Sequence, residues 1–287
     1  MIKQSETEVR KMNVSIVGLI VRPGRTDAME YTKRLREYLA DESILTVTDD
    51  DIMRNVNEGR VPDLLIALGG DGTLLRAAGL GAELNIPVIG FNFGRMGFLT
   101  EVNLVEPDML LNMLRNDTYV PDNRMILDVT TEDDGKAYKA MNDVILSRGG
   151  YARLITVEAE VNNEVIGRYT ADGLIISTPT GSTGYSLSAG GPIVSPEMNC
   201  FIITPICAHS LRHRPIVISA DSTVRLRLFG DHEQTALLQI DGQSVRPIRN
   251  GSETEIKWNG GSVNLIRKEK TEFFRLVDRK LTEWGNR

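Results

Sequence analysis

The 287-residue sequence contains only two cysteines, Cys200 and Cys207. That is too few for a disulfide framework in a chain of this size, so stability has to come from a buried core. The two thiols lie near His209 and His213, but six residues separate Cys200 from Cys207 where a zinc knuckle needs a tight loop. They read as core thiols, not as metal ligands. Long apolar runs are also missing: no window approaches the roughly 18 residues a spanning helix requires. Residues 1–11 show no apolar stretch and no small-residue cleavage site, so export is not expected and a cytoplasmic setting is. Basic charge is in deficit, with 33 Lys and Arg against 39 Asp and Glu and a net charge of -6. Such a chain has no field for holding nucleic acid or an anionic membrane, and an anionic ligand must be gripped locally, in a pocket. Two phosphate-loop signatures are absent as well. No G-x-G-x-x-G follows the first apolar run, which weighs against a classical dinucleotide dehydrogenase, and no G-x-x-x-x-G-K-[ST] occurs.

What is present is ordinary globular composition, 41% hydrophobic and 25% charged, in a chain long enough for one large or two ordinary domains. Over the first 120 residues, short apolar runs at 13–21, 63–68 and 86–92 read as strands and 27–41 as an amphipathic helix. Strands separated by helices imply a parallel sheet covered on both faces, an open, Rossmann-like α/β domain. From about residue 121 the texture changes. Segments 125–130 and 137–146 flank Glu132 to Gly135, and 155–161 and 165–169 flank Asn162-Asn163-Glu164, two hairpin patterns. Runs at 200–205, 216–219, 223–229 and 236–240 continue an antiparallel, sandwich-like β-rich domain. Residues 272–284 space Phe273, Phe274, Leu276, Val277, Leu281 and Trp284 as a helix. The expected partition is therefore 1–120 as an α/β domain completed by a C-terminal helix within 265–287, and 121–264 as the β-rich domain. There is no internal repeat and no low-complexity linker.

The densest chemical signal follows the strand at 63–68. Gly69-Gly70-Asp71-Gly72-Thr73 turns directly into the helical Leu74-Leu75-Arg76-Ala77-Ala78. Glycines allow unusual backbone turns and close ligand approach, and a helix start presents free N–H groups to phosphate oxygens. Asp71 is the odd member, because a carboxylate in an anion cradle repels phosphate unless it handles a proton or a metal. The plainer reading is a strand-to-helix turn in which Asp71 caps the helix. Arg76, one turn on, is placed to reach phosphate or to lie on the helix surface.

This turn resembles the signature shared by NAD kinases, diacylglycerol and sphingosine kinases and, with Ser for Thr, phosphofructokinases. Residues 171–192 narrow the choice. Ala171-Asp172-Gly173-Leu174 through Thr183-Gly184-Tyr185-Ser186-Leu187-Ser188 to Pro192 is similar, almost without interruption, to the glycine-rich signature of NAD kinases. Asn142-Asp143 stands where that family has a short Asn-Glu or Asn-Asp motif, Asp241-Gly242-Gln243 where it has DGQ, and 92–99 and 204–211 match further. By themselves, Asn142-Asp143 is a hairpin-exit pair and Asp241-Gly242 a hairpin turn. The resemblance implies transfer of a phosphoryl group from ATP, another nucleotide or polyphosphate to the 2'-hydroxyl of the adenosine ribose of NAD. It implies that Asp71 is catalytic. It also implies that Asp71, Gly72, Arg76, Asn142, Asp143, Arg153, Asp172, Thr183, Gly184, Tyr185, Ser186, Leu187, Ser188 and Gln243 line the substrate site. A divalent cation, magnesium, would arrive with the nucleotide and not in a protein cage, and a homo-oligomer is implied because relatives are dimers or tetramers. Two positions depart from the family pattern. Thr170 replaces a frequent Arg, whose contact Arg153 or Arg168 would have to supply, and Gly184 replaces a frequent Ala. Two rival functions remain at this point: a lipid or sugar kinase sharing the GGDGT turn, and a nonenzymatic NAD-binding protein that kept the fold.

Overall fold

The computed structural model describes residues 13–94, 97–100, 106–132, 135–150, 153–210, 212–230 and 235–285. The chain forms two compact units, one of residues 1–77, 84–122 and 264–287, the other of residues 78–83 and 123–263.

The first unit alternates strands and helices. In order these are β1 (Ile16–Val21), α1 (Thr26–Asp41), β2 (Leu45–Thr48), α2 (Asp49–Asn57), β3 (Leu64–Leu68), α3 (Asp71–Leu84), β4 (Val88–Phe91), α4 (Pro107–Arg115) and β5 (Val120–Met125). The sheet order is β2-β1-β3-β4-β18-β5, where β18 (Ser262–Arg267) returns from late in the chain to pair parallel with β4. All five residues of β3 are buried, as a strand covered on both faces must be, which explains its unbroken apolar run. α1 presents Ala28, Tyr31, Leu35 and Leu39 at helical spacing. These meet Val17, Leu19, Leu64, Ile66 and Phe91 of the sheet, together with Leu110 and Leu114 of α4. The helix α6 (Phe273–Gly285) belongs to this unit. Because β2 and β3 flank β1 on opposite sides, strand order reverses between β1 and β3, and open α/β sheets bind ligands at the carboxyl ends of strands at such a point. The GGDGT turn leaves β3 there.

The second unit is built from two six-stranded antiparallel sheets. One has the order β10-β9-β14-β17-β6-β7, from β6 (Leu127–Thr131), β7 (Ala137–Ala140), β9 (Ile155–Val161), β10 (Glu164–Ala171), β14 (Val224–Phe229) and β17 (Glu253–Lys257). The other is β13-β12-β11-β8-β15-β16, from β8 (Asp143–Ser147), β11 (Gly173–Ser177), β12 (Cys200–Ile206), β13 (Ile216–Ser219), β15 (Thr235–Ile240) and β16 (Gln243–Arg249). Leu127, Val129, Val157 and Leu226 of the first share one core with Val144, Leu146, Leu174, Ile176 and Phe201 of the second, which makes the pair a sandwich. The Asn162-Asn163 hairpin forms as the alternation predicts. Both residues are left-handed, at φ 51° and 69°, the twist a two-residue turn needs. The segment 137–146, read as one strand, is two. β7 and β8 lie in different sheets, and the chain crosses between them at Met141-Asn142.

Candidate functional site

Asp71 is the first residue of α3. Its Oδ1 accepts the amides of Leu99 (3.2 Å) and Thr100 (3.0 Å) and the Thr100 hydroxyl (2.9 Å), while among the described residues Oδ2 accepts only the amide of Phe98 (2.7 Å). One oxygen is thus filled by donors and the other keeps room for a proton or a hard cation. The same loop is held from behind by the buried Arg267, which donates to Leu99 O and to Asp122 Oδ2 (3.0 Å). The glycines of the turn are explained by space, not by backbone handedness, since none of Gly69, Gly70 and Gly72 has a positive φ. At Gly69 an added methyl would meet Thr73 and Arg22, but at Gly70 and Gly72 it would meet nothing within 4 Å. The fold does not need glycine at those two places. With no side chain at either place, the row of helix-start amides can be approached closely, as a phosphate site requires, although the Thr73 amide is already bonded to Gly70 O (2.9 Å). Arg76 leans away from that row to pair with Asp49 of α2.

In the second unit, the chemistry gathers at the bend between β7 and β8. Asp241, in the left-handed turn between β15 and β16, accepts the amides of Met141 (2.9 Å), Asn142 (2.7 Å) and Asp143 (3.1 Å). From the other side, Thr178 donates its amide to Asn142 O (2.9 Å) and its hydroxyl to Met141 O (2.6 Å). The bend is therefore fixed through both its donors and its acceptors, and Asn142 Oδ1 is left buried without a partner. Asp143 is buried too; burial first, and the Asp241 charge second, push its carboxyl up to about 7. Burial also raises Asp241, against the three amides that favour its charged form.

The glycine-rich segment is not an open loop. Residues Thr180–Thr183 form one 3-10 turn and Tyr185–Ser188 one helical turn. Gly181 presses on Asn142 so closely that a methyl there would overlap the Asn142 carbonyl. Gly181→Ala should therefore cost about 1–3 kcal/mol in urea unfolding and displace Asn142; wild-type stability would show that the bend tolerates the shift. At Gly184 the nearest atom to an added methyl, Gly181 O, stands at 3.2 Å, so Ala fits there with a small adjustment.

The expected site residues do not all fall together. Thr183 and Ser186 are buried and spend their hydroxyls internally, on Thr180 O (3.3 Å) and Thr204 Oγ1 (2.8 Å), and Leu187 is half-buried. Tyr185 and Ser188 are exposed in the same turn, and Gln243 is exposed at the start of β16. Asp172 stands elsewhere. Ser177 pairs with Asp143 and Gly173 with Ser147, so Asp172 lies past the opposite end of the β8–β11 ladder, five residues or roughly 17 Å away at about 3.4 Å per residue. It is held there by Arg148 at 2.6 Å. Arg153 is exposed, two residues before β9. Arg168 pairs with Glu158 and stacks on Phe229, and so is already engaged. Cys200 and Cys207 are free thiols, and among the described residues no group of three metal-binding side chains occurs.

Family models match both units. Residues 57–119 match the ATP-NAD kinase N-terminal domain and 141–268 the ATP-NAD kinase C-terminal domain. The NAD kinase of Heliobacterium modesticaldum is 39% identical over 279 residues, covering 93% of this chain and 98% of that protein. The chain belongs to the NAD kinase family. A second relative, the NAD kinase of Thermoanaerobacter sp. (strain X514), is 42% identical over 77% of this chain and 79% of its own length. Two solved structures share the fold. Yeast NADH kinase complexed with NADH has a TM-score of 0.83 at 24% identity, covering 94% of this chain and 88% of its own. An NAD kinase from Archaeoglobus fulgidus in complex with ATP has a TM-score of 0.70 at 24% identity, covering 93% and 98%. Membership of the NAD kinase family makes the chain a phosphotransferase and disfavours both the lipid or sugar kinase and the nonenzymatic reading.

Three contacts of this NAD kinase family member leave no local signal in the sequence. Thr100 meets Asp71 across 29 positions. The Asp241 side chain, visible in the sequence only as part of an Asp-Gly turn, holds the Asn142 bend, and Arg148 anchors Asp172. No described helix is long and apolar enough to cross a membrane.

Proposed function

We propose that the chain transfers a phosphoryl group from ATP, another nucleotide or polyphosphate to the 2'-hydroxyl of the adenosine ribose of NAD, giving NADP. Asp71 carries this reading. A carboxylate anchored mainly through Oδ1, with one lone pair of Oδ2 left over, stands at the head of a helix with no side chain at 70 or 72 to screen its start, and this arrangement suits a base working beside bound phosphate. Asp71 takes the proton of the attacking hydroxyl at Oδ2. The amides of Gly70 to Gly72 hold donor phosphates, the Thr73 amide being spent on Gly70 O, and Asn142 and Asp143, with Tyr185 and Ser188, orient the adenosine. Thr183, Gly184, Ser186 and Leu187 shape that turn, and Gln243, exposed at the start of β16, offers its amide to the nucleotide. Asp172 and Arg153 serve a more distant part of the dinucleotide, and Arg76 acts on phosphate only if it leaves Asp49.

The residues fit a divalent cation carried by the nucleotide. Asp71 Oδ2 is a hard oxygen with an unfilled lone pair, and no set of three protein ligands exists among the described residues to cage an ion. The one lone pair left on Asp71 Oδ2 serves either the ion or the proton, so with Oδ2 as the base the ion would be held by the donor's phosphate oxygens and would supply neutralisation of their charge. A homo-oligomer and a cytoplasmic setting belong to the same reading, and light scattering on the purified chain reads the first.

The deciding measurement is NADP formation, with ATP, other nucleoside triphosphates and polyphosphate offered in parallel and diacylglycerol and fructose 6-phosphate as rival acceptors. NADP should form with at least one donor and neither rival should be phosphorylated. Absence of NADP with every donor would overturn the assignment.

A further inference from the structure

Two carboxyl groups meet at the Asn142 bend without a cation. Asp143 opens β8 and is 4% exposed. Asp241 reaches back from its turn so that Oδ1 accepts the amide of Asp143 itself, while the Asp241 amide donates to Asp143 O at 3.0 Å. Among the described residues neither carboxyl group has an ion-pair partner. The elements around them bring little charge. β11, β15 and the turn at 180–183 carry no charged residue, the helical turn at 185–188 has only the Tyr185 phenol, and β16 opens on the neutral Gln243. Lys139 of β7 is paired with Asp128, and Arg124 at the end of β5 is buried and donates to Thr180 Oγ1 at 3.4 Å.

Two buried, adjacent carboxyl groups do not both ionise readily, so they titrate as a pair with one proton retained. The surroundings say where that proton sits. Asp241 receives three amides, which favour its anionic form, whereas no donor reaches the Asp143 carboxyl group among the described residues. Beside Asp143, Asn142 Oδ1 is buried with no partner. An unfilled acceptor and a carboxylic acid donor then stand side by side, matching a ligand edge that both donates and accepts, as a ribose diol or an adenine edge does.

We propose that Asp143 and Asp241 hold one proton between them, that it resides on Asp143, and that the Asp143 acid donates it in a hydrogen bond to the dinucleotide, so that NAD binding weakens as the proton is lost. This rests on the reading that Asn142 and Asp143 grip the adenosine. Burial and the neighbouring charge push the Asp143 carboxyl up to about 7, which brings the transition into the neutral range.

Calorimetric titration of the full chain with NAD between about pH 5.5 and pH 8.5 tests it. The dissociation constant should stay level at the acid end and rise about tenfold per unit once the proton leaves. Asp143→Asn keeps a donor and cannot ionise, so its affinity should vary by less than about twofold across the range. A wild-type affinity that ignores pH, or a pH dependence that survives in Asp143→Asn, overturns the proposal. If Asp143→Asn binds NAD as wild type does at every pH, the adenosine-site reading fails and the proposal goes with it. Should the Asp143→Asn substitution prevent folding, infrared difference spectra of the wild type decide. A protonated-carboxyl band at the acid end that vanishes toward pH 8.5 and shifts with NAD supports the assignment, and its absence refutes it.

Discussion

Asp71→Asn should lower kcat by about two to four orders of magnitude while leaving the dissociation constant for NAD within about threefold of wild type. Asparagine can still accept the Leu99 and Thr100 amides and the Thr100 hydroxyl through its Oδ1, so the anchored side of the group survives. The open side does not. An NH2 group replaces Oδ2, faces the Phe98 amide donor to donor, and has no lone pair for the substrate proton. The clash should cost about 1–3 kcal/mol in stability, which thermal unfolding measures separately from turnover. Single-turnover NADP formation and NAD calorimetry on the same preparation complete the test. A kcat within tenfold of wild type would remove the proton-accepting role and leave Asp71 as the anchor of the 98–100 loop. A loss of NAD affinity equal to the loss of kcat would instead make it a binding residue.

Much of this geometry was legible in the residues, and the exceptions have physical causes. The strand, glycine turn and helix at 64–84 announce themselves through an unbroken apolar run followed by GGDGT, because a doubly covered strand and a ligand-facing helix start leave local signatures. The Asn162-Asn163 and Asp241-Gly242 hairpins show through residues that tolerate a left-handed backbone. Residues 137–146 misled because apolarity continues through Met141, which is buried like its neighbours although the chain is changing sheets there. α2 escaped although Thr48 and three successive aspartates mark its start; its interior buries only Ile52, too little for a periodic stripe. The contacts that give the site its chemistry, Asp71 to Thr100 and Asp241 to Asn142, span 29 and 99 positions. No periodicity encodes such pairs. At 70 and 72 an added methyl would meet nothing, at 181 it would meet Asn142, and at none of the three is φ positive, so the unusual backbone turns expected of these glycines are not what they provide.

The Asp143 carboxyl should make the fold less stable as pH rises through the weakly acidic range. In the unfolded chain it ionises in the ordinary carboxylate range near 3.8, and in the folded chain only near 7. Between those values the native state retains a proton that the unfolded state has released, so the stability slope with pH is negative. Stability is fullest at the acid end of that window, falls through it, and levels off above about pH 7. At about 1.4 kcal/mol per unit the loss is on the order of 4 kcal/mol for an isolated group. Asp241 moves in the same direction, although its three amides limit the effect. Asp143→Asn removes the liability, and urea unfolding should show it more stable than wild type at about pH 8 by on the order of 2–4 kcal/mol. The difference should close only below the unfolded value near 3.8, toward about pH 3, where the wild-type side chain is neutral in both states. A wild-type protein whose stability rises between about pH 5 and pH 7 by an amount that Asp143→Asn abolishes would mean that the group is ionised in the fold and partnered. The strain of a buried acid at the Asn142 bend is the kind of cost a binding site retains when the proton itself makes a contact with its ligand, which is the role proposed for it.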